Sequence, residues 1–248
     1  MKNRTRLAIG CAAALGLWTP AFASTGFDLA QPQGGGEWKC TLKPYFWAAS
    51  VAGDVDLKNL PPQDVHVGFD DILDDLEFGA MLGFEARQGD GDYAYVGDLL
   101  YIDIDDDSAN VDVSMEEFMG ELDFAFRPWA PKWLEGLVGL RYWYVDTEID
   151  PTGPPHASKT TDWVDPIVGA RATIPFGDRW ASQIRGDIGG FDVGSKFTWQ
   201  ASADIQFAFS TSLSGTLGYR ALNFDYEADR ADYDMTMYGP WLGVNWSF

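Results

Sequence analysis

What most constrains this chain is a two-residue alternation of apolar and polar side chains that returns ten times between Trp38 and Phe248. Trp38, Cys40, Leu42, Pro44, Phe46 and Ala48 share one parity, and Lys39, Thr41, Lys43, Tyr45 and Trp47 share the other. Successive side chains on a strand point to opposite faces, so this is a strand with two unlike faces. The pattern recurs with Leu76, Phe78, Ala80, Leu82, Phe84 and Ala86, and again with Phe118, Leu122, Phe124 and Phe126. Further stretches run through 93–102, 134–146, 163–175, 180–189, 197–209, 212–224 and 235–248. Each reaches or slightly exceeds the roughly 9–11 residues of a tilted membrane strand.

Charge decides which face is which. The apolar parity carries no Lys or Arg within these ten segments, and its one acid is Asp146, at the very end of 134–146. The other parity carries Lys39, Lys43, Arg87, Arg127, Arg141, Arg171, Arg185 and Arg220. It also carries Glu77, Glu85, Asp98, Glu117, Glu121, Asp123, Glu135, Asp165, Asp187 and Asp204. A soluble core would hide the apolar set and show the charges. A barrel in lipid does the reverse, because Arg or Lys on the lipid face at mid-bilayer costs about 2–4 kcal/mol. In 93–102, Leu100 and Ile102 share the inward parity with Asp98. Opposite charges in near balance are expected to pair across the interior, with Tyr45, Trp47, Trp143 and Trp241 filling the space beside them.

The connections sort by length. Short links lie at 88–92, 128–133, 176–179 and 210–211, and long polar links at 52–75, 103–116, 147–162, 190–196 and 225–234. Short turns at one end and long loops at the other describe an outer-membrane barrel. The expected fold is therefore all-β: a transmembrane antiparallel up-and-down β-barrel of ten strands, in preference to eight or twelve. An even count puts both termini on the short-turn, periplasmic side. At the end of 52–75, Ile72 and Leu73, with Leu76 just beyond, have helical spacing, which predicts a short helix at the barrel mouth or over its rim.

The first residues read as an address. Lys2, Arg4 and Arg6 precede an apolar run to Trp18, and Ala21-Phe22-Ala23 has the small-x-small form of a cleavage site. Cys11 follows Arg6 too soon for a lipoprotein signal. The organisation is thus 1–23 signal peptide, 24–36 a short flexible periplasmic segment with Gly34-Gly35-Gly36, and 37–248 barrel. In the cleaved chain Cys40 stands alone, a small apolar residue on a strand. Loss of the three leading basic residues from 17 leaves 14 against 38 acidic, a net of −24. Such a polyanion excludes nucleic acid as a partner. Most of the excess sits in loops such as Asp103–Asp107, which suit a lipopolysaccharide surface bridged by divalent cations. That run lacks the Gly and bidentate Glu of an EF-hand loop. No dedicated metal site and no cofactor is expected.

Leu242, Val244, Trp246 and Phe248 alternate up to an aromatic last residue. They resemble the C-terminal signal that the barrel assembly machinery reads in bacterial outer-membrane proteins. The last strand has to close on the first, because no open edge survives in lipid. More broadly, the chain resembles the uncharacterised proteobacterial outer-membrane β-barrel proteins, of small OmpA/OmpX-like architecture. The residues that carry the likeness include Pro44-Tyr45-Phe46-Trp47, Asp71-Ile72-Leu73-Asp74, Phe84-Glu85-Ala86-Arg87 and Asp98-Leu99-Leu100-Tyr101. Gly139-Leu140-Arg141-Tyr142-Trp143, Asp165-Pro166-Ile167, Arg185-Gly186-Asp187, Gly218-Tyr219-Arg220 and Gly239-Pro240 continue it. The resemblance implies a fold and an outer-membrane location, and no activity.

The expected site is a lumen charge network of Lys39, Lys43, Glu85, Arg87, Asp98, Glu121, Asp123, Arg141, Asp165, Arg171, Arg185, Asp187, Asp204 and Arg220. The leading functional reading is a monomeric, mostly occluded barrel with a structural or surface-interaction role. Its expected partners are outer-membrane lipid, lipopolysaccharide and the assembly machinery. A narrow channel for water, ions or small solutes is the alternative. A hydrolase is the distant one. His66 beside Asp70 and Asp71 bears on an omptin-like protease, and His156-Ala157-Ser158 with Glu148 on a lipid A deacylase-like enzyme. Both histidines read as loop residues without a fixed nucleophile–base pair.

Overall fold

The computed structural model describes residues 38–57, 63–74, 76–89, 91–108, 111–127, 131–151, 157–228 and 231–248. The segments read as signal peptide and flexible lead lie outside the described residues. The elements begin with β1 (Trp38–Trp47), β2 (Ser50–Leu57), β3 (Gln63–Val67) and a short helix α1 (Phe69–Asp74). There follow β4 (Leu76–Gln88), β5 (Tyr93–Ser108), β6 (Val111–Phe126), β7 (Leu134–Pro151) and β8 (Ala157–Pro175). The last are β9 (Trp180–Gly190), β10 (Phe197–Ala208), β11 (Leu213–Ala228) and β12 (Ala231–Ser247).

From β4 to β12 every strand pairs antiparallel with its sequence neighbours, β4 also pairs with β1, and β12 returns to β1. β12 pairs with β1 through Trp241–Ser247 and with β2 through Ala231–Tyr238. β1 and β2 are thus two halves of one wall strand, broken at Ala48 and Ala49. The wall is a closed ten-stranded barrel, with β2 extending the first strand upward and β3 folding back on β2. At the seam the Cys40 N–H donates to the Phe248 carbonyl at 3.0 Å, and the Phe248 N–H donates to the Cys40 carbonyl at 2.9 Å.

Strand parity sorts the side chains. Leu140, Ile184, Leu217 and Leu242 are among the large apolar residues exposed on the outside. Glu121, Asp123, Arg141 and Asp187 are buried within. Aromatic rings line the outer wall at two heights. Near the turns, Tyr93 stacks on Phe124, Phe124 on Phe126, Trp180 meets Phe207, and Trp246 meets Phe248. Higher up, Phe46 meets Phe69, Phe78 meets Tyr101, and Phe118 meets Tyr142. An apolar band between two aromatic girdles is the outer surface of a barrel in lipid.

The long links differ from the expectation of open loops, and 52–75 holds most of β2, all of β3 and α1. Segments 103–116, 147–162 and 225–234 are largely strand, because β5–β6, β7–β8 and β11–β12 continue as ladders well past the upper girdle. Strand pairing satisfies backbone groups in water as well as in lipid, so a polar sequence does not end the strand. Link 190–196 is a tight turn, with Gly190, Phe191 and Asp192 at positive φ.

Candidate functional site

Three layers of side chains fill the lumen. The lowest lies above the short turns. Glu85 on β4 pairs with Lys43 on β1 at 2.9 Å, with Arg87 at 2.7 Å and with Arg171 on β8 at 3.1 Å. Glu135 on β7 pairs with Arg87 and Arg127, each at 2.6 Å, and with Arg171. β4 and β8 are not neighbours in the wall, so the Arg171–Glu85 pair spans the interior. This layer has more cations than carboxylates and faces a polar vestibule of about 220 Å³ that also touches Lys39.

The middle layer is drier. Arg141 on β7 has no exposed side-chain surface; it pairs with Glu121 at 2.6 Å and Asp187 at 2.8 Å. Arg185 on β9 reaches Glu121 at 2.6 Å, Asp187 at 2.9 Å and Asp123 at 3.0 Å. The Arg185–Asp123 approach is close but not aligned as a hydrogen bond. Arg220 on β11 crosses to Asp98 on β5 at 2.7 Å, and the Tyr45 hydroxyl donates to Asp98 at 2.8 Å. Arg220 also lies 4.9 Å over the Trp47 ring. Charges taken out of water are tolerable when paired and hydrogen-bonded, as Arg141, Glu121 and Asp187 are, whereas both Asp123 oxygens lack a hydrogen-bond partner among the described residues.

Above the charges the interior turns apolar. Trp47, Leu100, Met119, Trp143, Trp163, Leu222 and Met237 form a buried cluster. Trp163 stacks on Tyr226 at 4.2 Å and on Trp143 at 5.9 Å. The β9–β10 turn dips onto this plug. The Asp165 carboxylate accepts the Ser195 N–H at 2.6 Å, the Ser195 hydroxyl at 2.8 Å and the Trp163 indole N–H at 3.1 Å. A Cβ on Gly194 would sit 2.7 Å from the Asp165 Oδ1, so only glycine lets the turn come this close.

The fourteen residues read as one network therefore separate. Lys43, Glu85, Arg87 and Arg171 meet in the lowest layer. Glu121, Asp123, Arg141, Arg185 and Asp187 meet in the middle, with Asp98 and Arg220 beside them. Lys39 is exposed at the vestibule and makes no ion pair among the described residues. Asp165 anchors a turn instead of pairing with a cation. Asp204 is buried and accepts from the Gln206 amide at 3.0 Å. Arg127 and Glu135, inward by parity, join the lowest layer. The apolar plug was missed as a unit: Leu100, Met119, Leu222 and Met237 share the inward parity but carry no charge to mark them. Leu242, Val244, Trp246 and Phe248 all face outward and are exposed. His66 is exposed on β3, and among the described residues no carboxylate or hydroxyl bonds to it. His156 lies outside the described residues.

No known family description and no curated protein sequence matches the chain. Solved structures do. The outer membrane protease OmpT of Escherichia coli matches with a TM-score of 0.54 at 6% identity, over 86% of this chain and 97% of that chain. In fold, the chain is a barrel of the outer-membrane type. Ail, the attachment invasion locus protein of Yersinia pestis, matches at 10% identity over 86% of this chain and 99% of that one, with a TM-score of 0.38. Neisserial surface protein A matches at 9% identity over 85% and 97%, with a TM-score of 0.33. What the barrel does has to be argued from its own interior.

Proposed function

We propose that this protein is an integral barrel of the bacterial outer membrane, closed to bulk solutes, with a structural or surface-interaction role and no enzymatic activity. The observation that carries the reading is the stacking of cross-lumen ion pairs under an aromatic plug. Arg171–Glu85 and Arg220–Asp98 join opposite parts of the wall, and Trp143, Trp163 and Tyr226 cover what lies above. The apolar exterior between two aromatic girdles supports membrane placement. Lipid and lipopolysaccharide are then its surroundings. The outward Leu242–Phe248 stripe suits recognition by the assembly machinery, and a monomer fits a wall whose exterior between the two girdles is lipid-compatible. Planar-bilayer recording of the refolded barrel tests the reading. No steady conductance is expected, and one resembling that of a general porin overturns it.

A narrow path for water or small ions is the second reading, favoured by the cation-rich vestibule at the lower mouth. Stopped-flow swelling of vesicles carrying the barrel separates the two. Shrinkage no faster than in empty vesicles supports occlusion.

A further inference from the structure

The wall is interrupted beside β1. Up the barrel from Gln88, β4 pairs with β1 as far as Leu82, opposite Pro44. Proline brings no N–H to the ladder, and the two strands part there. Beyond that point β4 keeps β5 on one side but, among the described residues, has no strand on the other. On the far side of the gap, β3 pairs, among the described residues, only with β2. Helix α1 stands between. The Phe69 N–H donates to the Ser50 hydroxyl at 3.1 Å, and the Phe69 ring meets Phe46 edge-on at 5.8 Å.

In a paired wall, the side chains of consecutive residues point to opposite sides. Tyr45 and Trp47 face the lumen, and Phe46 faces out, 48% exposed. Yet all three line a single cavity of about 380 Å³. The cavity thus lies at the gap where β1 and β4 part, beside α1 and at the height of the upper girdle, where Phe46 and Phe69 stand. Its volume falls in the small-molecule range of about 300–1,000 Å³. Its lining is rich in methionine, among them Met81, Met115 and Met237, side chains that adapt to varied apolar shapes. One carboxylate interrupts it. Glu117 on β6 lines the cavity, is 7% exposed, and its Oε1 has no hydrogen-bond partner among the described residues. A buried carboxylate oxygen without a donor is costly unless something brings one.

We propose that this cavity binds an amphipathic amine, its alkyl or aryl body against the methionines and its N–H groups on Glu117, entering from the lipid side past α1. The lipid-side entry rests on the membrane placement proposed above, whereas the pocket and its preference for an amine do not. The chemistry is selective. An alkyl carboxylate of the same length meets the Glu117 charge with a like charge, and an alcohol offers a single neutral donor.

The test uses N-phenyl-1-naphthylamine, whose emission rises in apolar sites, with the full barrel in uncharged maltoside micelles. Decylamine, decanol and decanoate serve as competitors. Saturable binding is expected, with decylamine displacing the probe at a concentration about tenfold below decanoate, the scale of one charge-assisted hydrogen bond. Glu117→Gln should abolish that preference. Val51→Trp on β2 and Val67→Trp on β3 fill the cavity from neighbouring strands, and either one, if its barrel folds by heat-modifiable gel mobility, should lose probe binding. Unaltered probe binding in a folded filled variant overturns the proposal. So does equal competition by decylamine and decanoate in the wild type, or a preference that survives in Glu117→Gln. Conductance is read separately, so a conducting barrel that binds amines leaves this inference standing while removing the occluded-barrel reading.

Discussion

Single residues in this interior are held by partners far away in sequence. Arg141, with no exposed side chain, is shared between Glu121 and Asp187. Arg141→Met leaves an excess of carboxylates in a dry layer, so the barrel should lose about 3–5 kcal/mol in denaturant unfolding from lipid vesicles. Arg141→Met combined with Glu121→Gln should recover part of that loss, because fewer stranded charges remain. An unaltered midpoint for the single variant would mean that this layer is wetter than its geometry indicates. Asp165 predicts differently. Asp165→Ala removes three hydrogen bonds that hold the 190–196 turn on the plug, at a cost of about 1–3 kcal/mol. Limited chymotrypsin digestion should then cut at Phe191 much faster than in the wild type. Inwardness was legible for these residues from parity alone. Partnership was not: Arg220 and Asp98 lie 122 positions apart, and nothing local in the sequence records which strands face each other across the lumen. Asp165 shows the limit, since a carboxylate of the right parity meets a backbone N–H instead of a guanidinium.

At the scale of elements, the ten wall strands were readable because lipid outside and charge inside impose a strict period. The same rule gave no warning of β2 and β3, since that stretch lies where β1 leaves the ladder and its composition reads as loop. The helical spacing at Ile72 and Leu73 did announce α1, but its place in the wall follows from Pro44, which parts β1 from β4. The break between β1 and β2 has its own fitting on β12. The Ala48 N–H donates to the Pro240 carbonyl at 2.9 Å, and the Trp47 indole donates to the Gly239 carbonyl at 3.2 Å. A Cβ at Gly239 would lie 1.9 Å from the Ala48 carbonyl oxygen, a backbone atom that cannot swing aside. Gly239→Ala should therefore cut the yield of folded, heat-modifiable barrel severely. Gly186→Ala, whose nearest neighbour would be 3.9 Å away, should fold normally. Equal yields for the two would refute the fit between Gly239 and the strand break.

For the molecule as a whole, closure is built twice, once with charge and once with aromatic rings. Arg171→Ser with Glu135→Ser should open the lowest layer without producing steady current, because the plug remains. Trp143→Ala with Trp163→Ala should likewise stay silent over intact ion pairs. Only the four substitutions together should conduct in planar bilayers, and current from either pair alone would show that one layer does all the sealing. The seam between first and last strands carries a different implication. The Thr41 and Ser247 hydroxyls touch at 2.9 Å across a sequence separation of 206, and Cys40 and Phe248 exchange a pair of backbone hydrogen bonds. Contacts so distant along the chain form late and slowly. β1 can find β4 early, but its other edge has no mate until β12 is made, so the cylinder cannot shut before its last strand arrives, and that bare edge and the greasy outer stripes need shielding in the meantime.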